Sequence, residues 1–159
     1  MKKLMLAALL SGAAITAWVA QAASTSGTFN VNITLSSTCT LSAITAVDFA
    51  YTSFQGGAAA STGGGFTTTC TNSLPYTFGL QAGSGAAVPP GAATVTVTDN
   101  AVNLQYTLGT STAGGTGNGA AQAHSVTGTM PAAQSGTCAT ASCTNAAATN
   151  KTQTLILNF

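Results

Sequence analysis

Outside the first 22 residues, the side chains that could move protons by carboxylate or imidazole chemistry are Asp48, Asp99 and His124. General acid–base catalysis needs two such groups converging, or a nucleophile with a base and an orienting partner. These three are lone in the sequence. Asp48 sits in a Val-Asp-Phe run, Asp99 precedes Asn100 in a turn-forming pair, and His124 stands in a stretch of small residues. No GxSxG, phosphate-loop or HExxH pattern accompanies them, so the chain reads as a non-enzyme with no cofactor.

The four cysteines, Cys39, Cys70, Cys138 and Cys143, are the other reactive groups. Zinc would favour CxxC spacing or nearby histidines. Here the close pair is C-x4-C and His124 is distant, so no metal is expected. Oxidised pairs are the better reading for an exported chain. Three connectivities are possible. The favoured one joins Cys39 to Cys70, pinning the first core strand to the next, and Cys138 to Cys143, stapling a small loop.

Export follows from the start of the sequence. Lys2 and Lys3 precede an apolar run over residues 4–19, and Ala20-Gln21-Ala22 offers a small-x-small cleavage site. Residues 1–22 therefore read as a signal peptide rather than a membrane anchor, being short for a bilayer span and lacking a basic stop-transfer flank. The mature chain is expected to pass through the periplasm to the cell surface without inserting in a membrane. Beyond residue 22 there is one lysine against two aspartates, where ordinary domains are about a quarter charged. A nucleic-acid partner is excluded, for want of a basic patch. A surface with so little charge also lacks the repulsion that keeps molecules apart.

The elements that must position these groups are strands. Residues 66–71 (FTTTCT), 76–80 (YTFGL), 94–98 (TVTVT), 102–108 (VNLQYTL), 125–130 and 152–159 (TQTLILNF) alternate and carry threonine or aromatic residues. Residues 56–65, 82–93 and 109–121 are rich in Gly, Ala, Ser and Pro and read as loops. The spacing predicts one all-β domain of the sandwich type over residues 38–159.

The two ends of the mature chain stand out. Residues 28–35 (TFNVNITL) put Phe29, Val31, Ile33 and Leu35 on one face and polar residues on the other. Leading segments are usually frayed and polar unless held, so residues 23–37 are expected to carry a strand in search of a sheet. At the other end, Leu155, Leu157 and Phe159 alternate with Thr154, Ile156 and Asn158, and the sequence as given stops there. An immunoglobulin-like sandwich would add one more edge strand. The expected fold is therefore an incomplete immunoglobulin-like β-sandwich lacking its last strand and completed by a donor strand from another subunit. Only Ser36-Ser37-Thr38 separates Leu35 from Cys39, whereas a parallel neighbour needs a crossover of about a dozen residues. Insertion into a second molecule is easier, and a head-to-tail contact of that kind builds a fibre.

The leading TFNVNITL, SSTCTLSA around Cys39, VDFAYT, FTTTCTNSLPYTFGL and the terminal NKTQTLILNF together resemble, in order and spacing, the spore coat protein U-like domain of archaic chaperone–usher pilins. The resemblance implies a subunit held by a periplasmic chaperone and then polymerised with other copies through an outer-membrane usher, serving adhesion and biofilm formation. It implies donor residues Phe29, Val31, Ile33 and Leu35, with an acceptor groove lined by Leu155, Leu157 and Phe159. The rival expectation is a secreted monomeric β-sandwich that binds a glycan or surface ligand. An ice-binding or coat-type solenoid would need a repeat period, and none is present.

Overall fold

The computed structural model describes residues 23–159; the signal-peptide reading of residues 1–22 lies outside the described residues. Residues 23–34 and 35–159 form separate units. The first carries no strand, and residues 28–35 belong to no sheet. Their alternation is nevertheless intact. Phe29 is 86% exposed, Ile33 85%, and Val31 and Leu35 are exposed with them.

The second unit is an all-β sandwich. One sheet has the order β1-β5-β10-β8-β7, built from Cys39–Leu41, Gly65–Cys70, Ala121–Met130, Gln105–Thr110 and Thr94–Thr98. The other has the order β11-β6-β9, from Gln153–Asn158, Pro75–Ala82 and Gly114–Thr116. Every pairing is antiparallel. Three short strands, β2 (Val47–Asp48), β3 (Ala59–Ala60) and β4 (Thr62–Gly63), complete the set: β2 pairs with β4, and β3 adds to β10.

Two-residue periodicity makes the core. In β5 the side chains of Phe66, Thr68 and Cys70 turn inward and are buried, while Thr67 and Thr69 alternate with them on the outer face. Val97, Tyr106, Leu108, Val126 and Met130 join from the same sheet, and Tyr76, Phe78 and Leu80 from the other. Cys39 stands directly opposite Cys70 in the β1–β5 ladder and is disulfide-bonded to it; Cys138 is bonded to Cys143. The buried Thr68 hydroxyl has no hydrogen-bond partner among the described residues. An orphaned buried hydroxyl destabilises. Thr68→Val, which keeps the branched shape, is therefore expected to raise unfolding stability by about 1 kcal/mol in urea titration.

Two loop assignments and one strand assignment differ from the sequence reading. Residues 56–65 contain β3 and β4, and residues 109–121 contain β9 and the end of β8. These strands are short and built largely from Gly, Ala and Thr, so pairing with distant neighbours defines them rather than their own pattern. Conversely, residues 102–104 are not strand. Asp99 Oδ1 accepts the N–H groups of Ala101 (2.8 Å) and Val102 (3.0 Å), which holds a turn and delays β8 to Gln105.

The last strand also carries a surprise. Ile156, on the face opposite Leu155 and Leu157, is only 4% exposed. Across the ladder it faces Gly79, where a side chain would run into the backbone of Pro90 and Gly91. The segment around Pro90 thus covers the outer face of this sheet and is tied down by bonds between Leu80 and Ala92 and from the Asn158 amide to Pro90.

Candidate functional site: an open cleft beside the last strand

A cleft of about 770 Å³ opens between the two sheets within the second unit. Its inner surface is apolar: Leu80 and Leu155 from one sheet, Tyr106, Leu108, Val126 and Met130 from the other. The far wall is the segment after β1, where Val47, Phe49 and Tyr51 alternate into the opening. Phe49 packs on Tyr106 with ring centroids 5.7 Å apart and over Gly128, where a Cβ would collide with the Phe49 ring. Tyr51 anchors the wall by donating its hydroxyl to Pro131 O and accepting from Gln134 N–H, both at 2.9 Å.

The near wall is the free edge of β11, which among the described residues has a neighbour, β6, on one side only. Leu80, opposite Leu155, gives both its N–H and C=O to Ala92 on its other flank (2.7 and 2.8 Å). Phe78, opposite Leu157, donates its N–H to Ala113 on that flank as well. In an antiparallel ladder such residues form the non-hydrogen-bonded pairs. Leu155 and Leu157 therefore point their backbone N–H and C=O groups outward along the free edge. Their side chains share the inner face with Leu80 and Phe78 and are half-buried against the core.

Of the groove residues expected from sequence, Leu155 lines the cleft and Leu157 packs against the core beside it, while Phe159 lies past β11 and is exposed. Val47, Phe49 and Tyr51 were not assigned to the groove, although their V-D-F-A-Y alternation was a usable signal. The floor residues carry no such signal, because any sandwich core would contain them.

The cleft is polar at one end. Asp99, only 2% exposed, accepts from the Val102 and Ala101 N–H groups and from the Asn145 amide at 2.9 Å. Burial pushes its carboxyl up, but the bonds from Val102, Asn145 and Ala101 outweigh this and hold it below the usual carboxylate range. Lys151 donates to Ala146 O at 3.0 Å.

His124 does not line the cleft; it sits among the rings of Phe66, Tyr76 and Phe78, centroids 5.5, 5.9 and 4.8 Å away. Its Nε2 is 3.0 Å from the Tyr76 hydroxyl and its Nδ1 3.3 Å from that of Thr112. Burial pushes its pKa down. The unfolded chain then takes up a proton near the ordinary imidazole value of about 6.5, before the folded one does. Stability should be insensitive to this group above that pH and should fall as the pH drops below it. Urea titrations of His124→Gln should lack this decline, leaving only an acid phase from Asp99. That phase begins below about pH 4, because a depressed carboxyl stabilises above its unfolded pKa and loses the effect as the pH falls through the folded one.

Asp48, Asp99 and His124 are thus not assembled into one constellation: Asp48 and Asp99 border the cleft and His124 does not. Among the described residues, no three His, Cys, Asp or Glu side chains are grouped to hold a metal ion. No helix among them is long and apolar enough to cross a membrane. The arrangement is suited to receiving an extended chain, with an apolar floor for alternate side chains and an unpaired strand edge for its backbone.

No curated protein and no solved structure matches the chain. A family model, the Spore Coat Protein U domain, matches residues 25–156. That span takes in the exposed leading segment, both disulfides and all but the end of β11, and the chain accordingly belongs to the Spore Coat Protein U family, a structural domain of the pilin type.

Proposed function

We propose that this fimbrial-type subunit polymerises by donor-strand exchange, residues 28–35 of one copy lying along the free edge of β11 in the next. The single observation that carries this reading is the open cleft with an apolar floor, flanked by an unpaired strand edge. It is an unfinished sandwich, and exposed edges of this kind invite strand addition. The exposed alternation of Phe29, Val31, Ile33 and Leu35 supplies an occupant of matching period. A periplasmic chaperone holds the subunit before assembly and an outer-membrane usher assembles it. The resulting surface filament serves adhesion and biofilm formation. Shearing cells that express the protein should release thin fibres visible by negative stain, and the material should run as a ladder on unheated denaturing gels. A single band at monomer size, with no fibres, would favour a monomeric binding module instead.

A further inference from the structure

We propose that the loop closed by Cys138–Cys143 is a clamp on the polar end of the cleft, and that Asn145 is the positioning residue through which it grips the inserted strand. This rests on the strand-exchange reading. Cys143, Thr144 and Asn145 themselves line the cleft. On either side the loop is anchored to the turn after β7. Thr137 N–H donates to Val102 O at 2.7 Å before it, and after it Asn145 bonds Asp99, Thr149 bonds Asn100, and Asn150 bonds Thr98 O.

Between Thr137 and Asn145, the hydrogen bond is internal to the loop, from the Thr140 hydroxyl to Ser142 O, and the bridged sulfurs of Cys138 and Cys143 only touch Thr140. The disulfide is thus what restrains the seven residues that deliver Asn145 to the buried Asp99 carboxylate. Freeing them restores the entropy that the closed loop removes and lets the end wall of the cleft move.

All pairings in this sandwich are antiparallel, and a strand added antiparallel to β11 brings its trailing end, Leu35, to the clamp. Phe29 then lies at the opposite end. The clamp therefore predicts which donor residue senses it.

The test uses filaments of the full-length chain and the half-time for their dissociation to monomers in warm detergent. Both Asn145→Ala, which keeps the disulfide, and Cys138→Ser/Cys143→Ser should shorten the half-time by roughly tenfold, the scale of one hydrogen bond to a charged group. The Asn145→Ala effect should shrink in a Leu35→Ala background and persist in a Phe29→Ala background, a coupling that general loss of stability would not produce. Half-times unchanged in both variants, or equal effects in the two donor backgrounds, overturn the clamp while leaving strand exchange intact. Failure of the unmodified chain to form detergent-resistant polymers overturns strand exchange itself, and the clamp with it.

Discussion

Deleting residues 23–35 should yield a subunit that accepts a donor strand and never polymerises. The four apolar side chains of the segment are almost fully exposed in the single chain. Burying each contributes about 1.5–3 kcal/mol, so the set supplies roughly 6–12 kcal/mol as an upper bound, before backbone pairing with Leu155 and Leu157 is added. That is comparable to the whole stability of a typical domain, about 5–15 kcal/mol. A synthetic TFNVNITL peptide should therefore raise the thermal midpoint of the truncated subunit by many degrees. A peptide with Ile33→Asp, which would bring an unpaired carboxylate against an apolar floor, should not. A truncated chain that unfolds cooperatively as a stable monomer, indifferent to the peptide, would rule out strand exchange.

Replacing Cys39 and Cys70 together with alanine should have the second-largest effect. Their bond closes a 31-residue separation and lies directly across the β1–β5 ladder. It also places the start of the segment that becomes the far wall of the cleft. The loop-entropy relation gives about 3–4 kcal/mol for a loop of this length, against roughly 2 kcal/mol for the five-residue separation of Cys138 and Cys143. Thermal scans of the two double variants should show the Cys39/Cys70 change lowering the midpoint by roughly 10 °C and the other lowering it distinctly less. The ranking of filament dissociation need not follow, because only the shorter bond belongs to the loop lining the cleft. A larger thermal loss from the Cys138/Cys143 change would contradict the assignment of the long bond as the main staple.

Much of this protein is legible in its sequence. The all-β class and the main strands follow from period and composition, which are local properties of the chain, and of the three possible cysteine connectivities the favoured one is the one formed. The exposed segment over residues 28–35 was visible for the same reason: alternation survives whether or not a partner is present. Less was legible where pairing is remote. Strands β3, β4 and β9 are built of residues with little intrinsic preference for extended structure, and they exist because β10, β2 and β6 offer edges to them. Val102 looked like strand until the Asp99 carboxylate claimed its N–H.

The groove divides along the same line. Leu155 and Leu157 could be named from their own alternation, yet their sequence says nothing of which edge their backbone groups face. That was decided by Ala92 and Ala113, which engage Leu80 and Phe78 on the flank away from β11. The burial of Ile156 depends on a segment more than sixty positions earlier in the chain, around Pro90, folding over the outer face of the sheet. The sequence by itself determined that residues 23–159 are a nearly uncharged strand protein with an apolar leading segment, because side-chain period and charge count are read one residue at a time. Only the tertiary structure decided that the cleft lies between β11 and the Val47–Phe49–Tyr51 wall, with a disulfide-closed loop at its polar end. Cavities and free edges are made by elements far apart in the chain, and no local pattern encodes where those elements fail to meet.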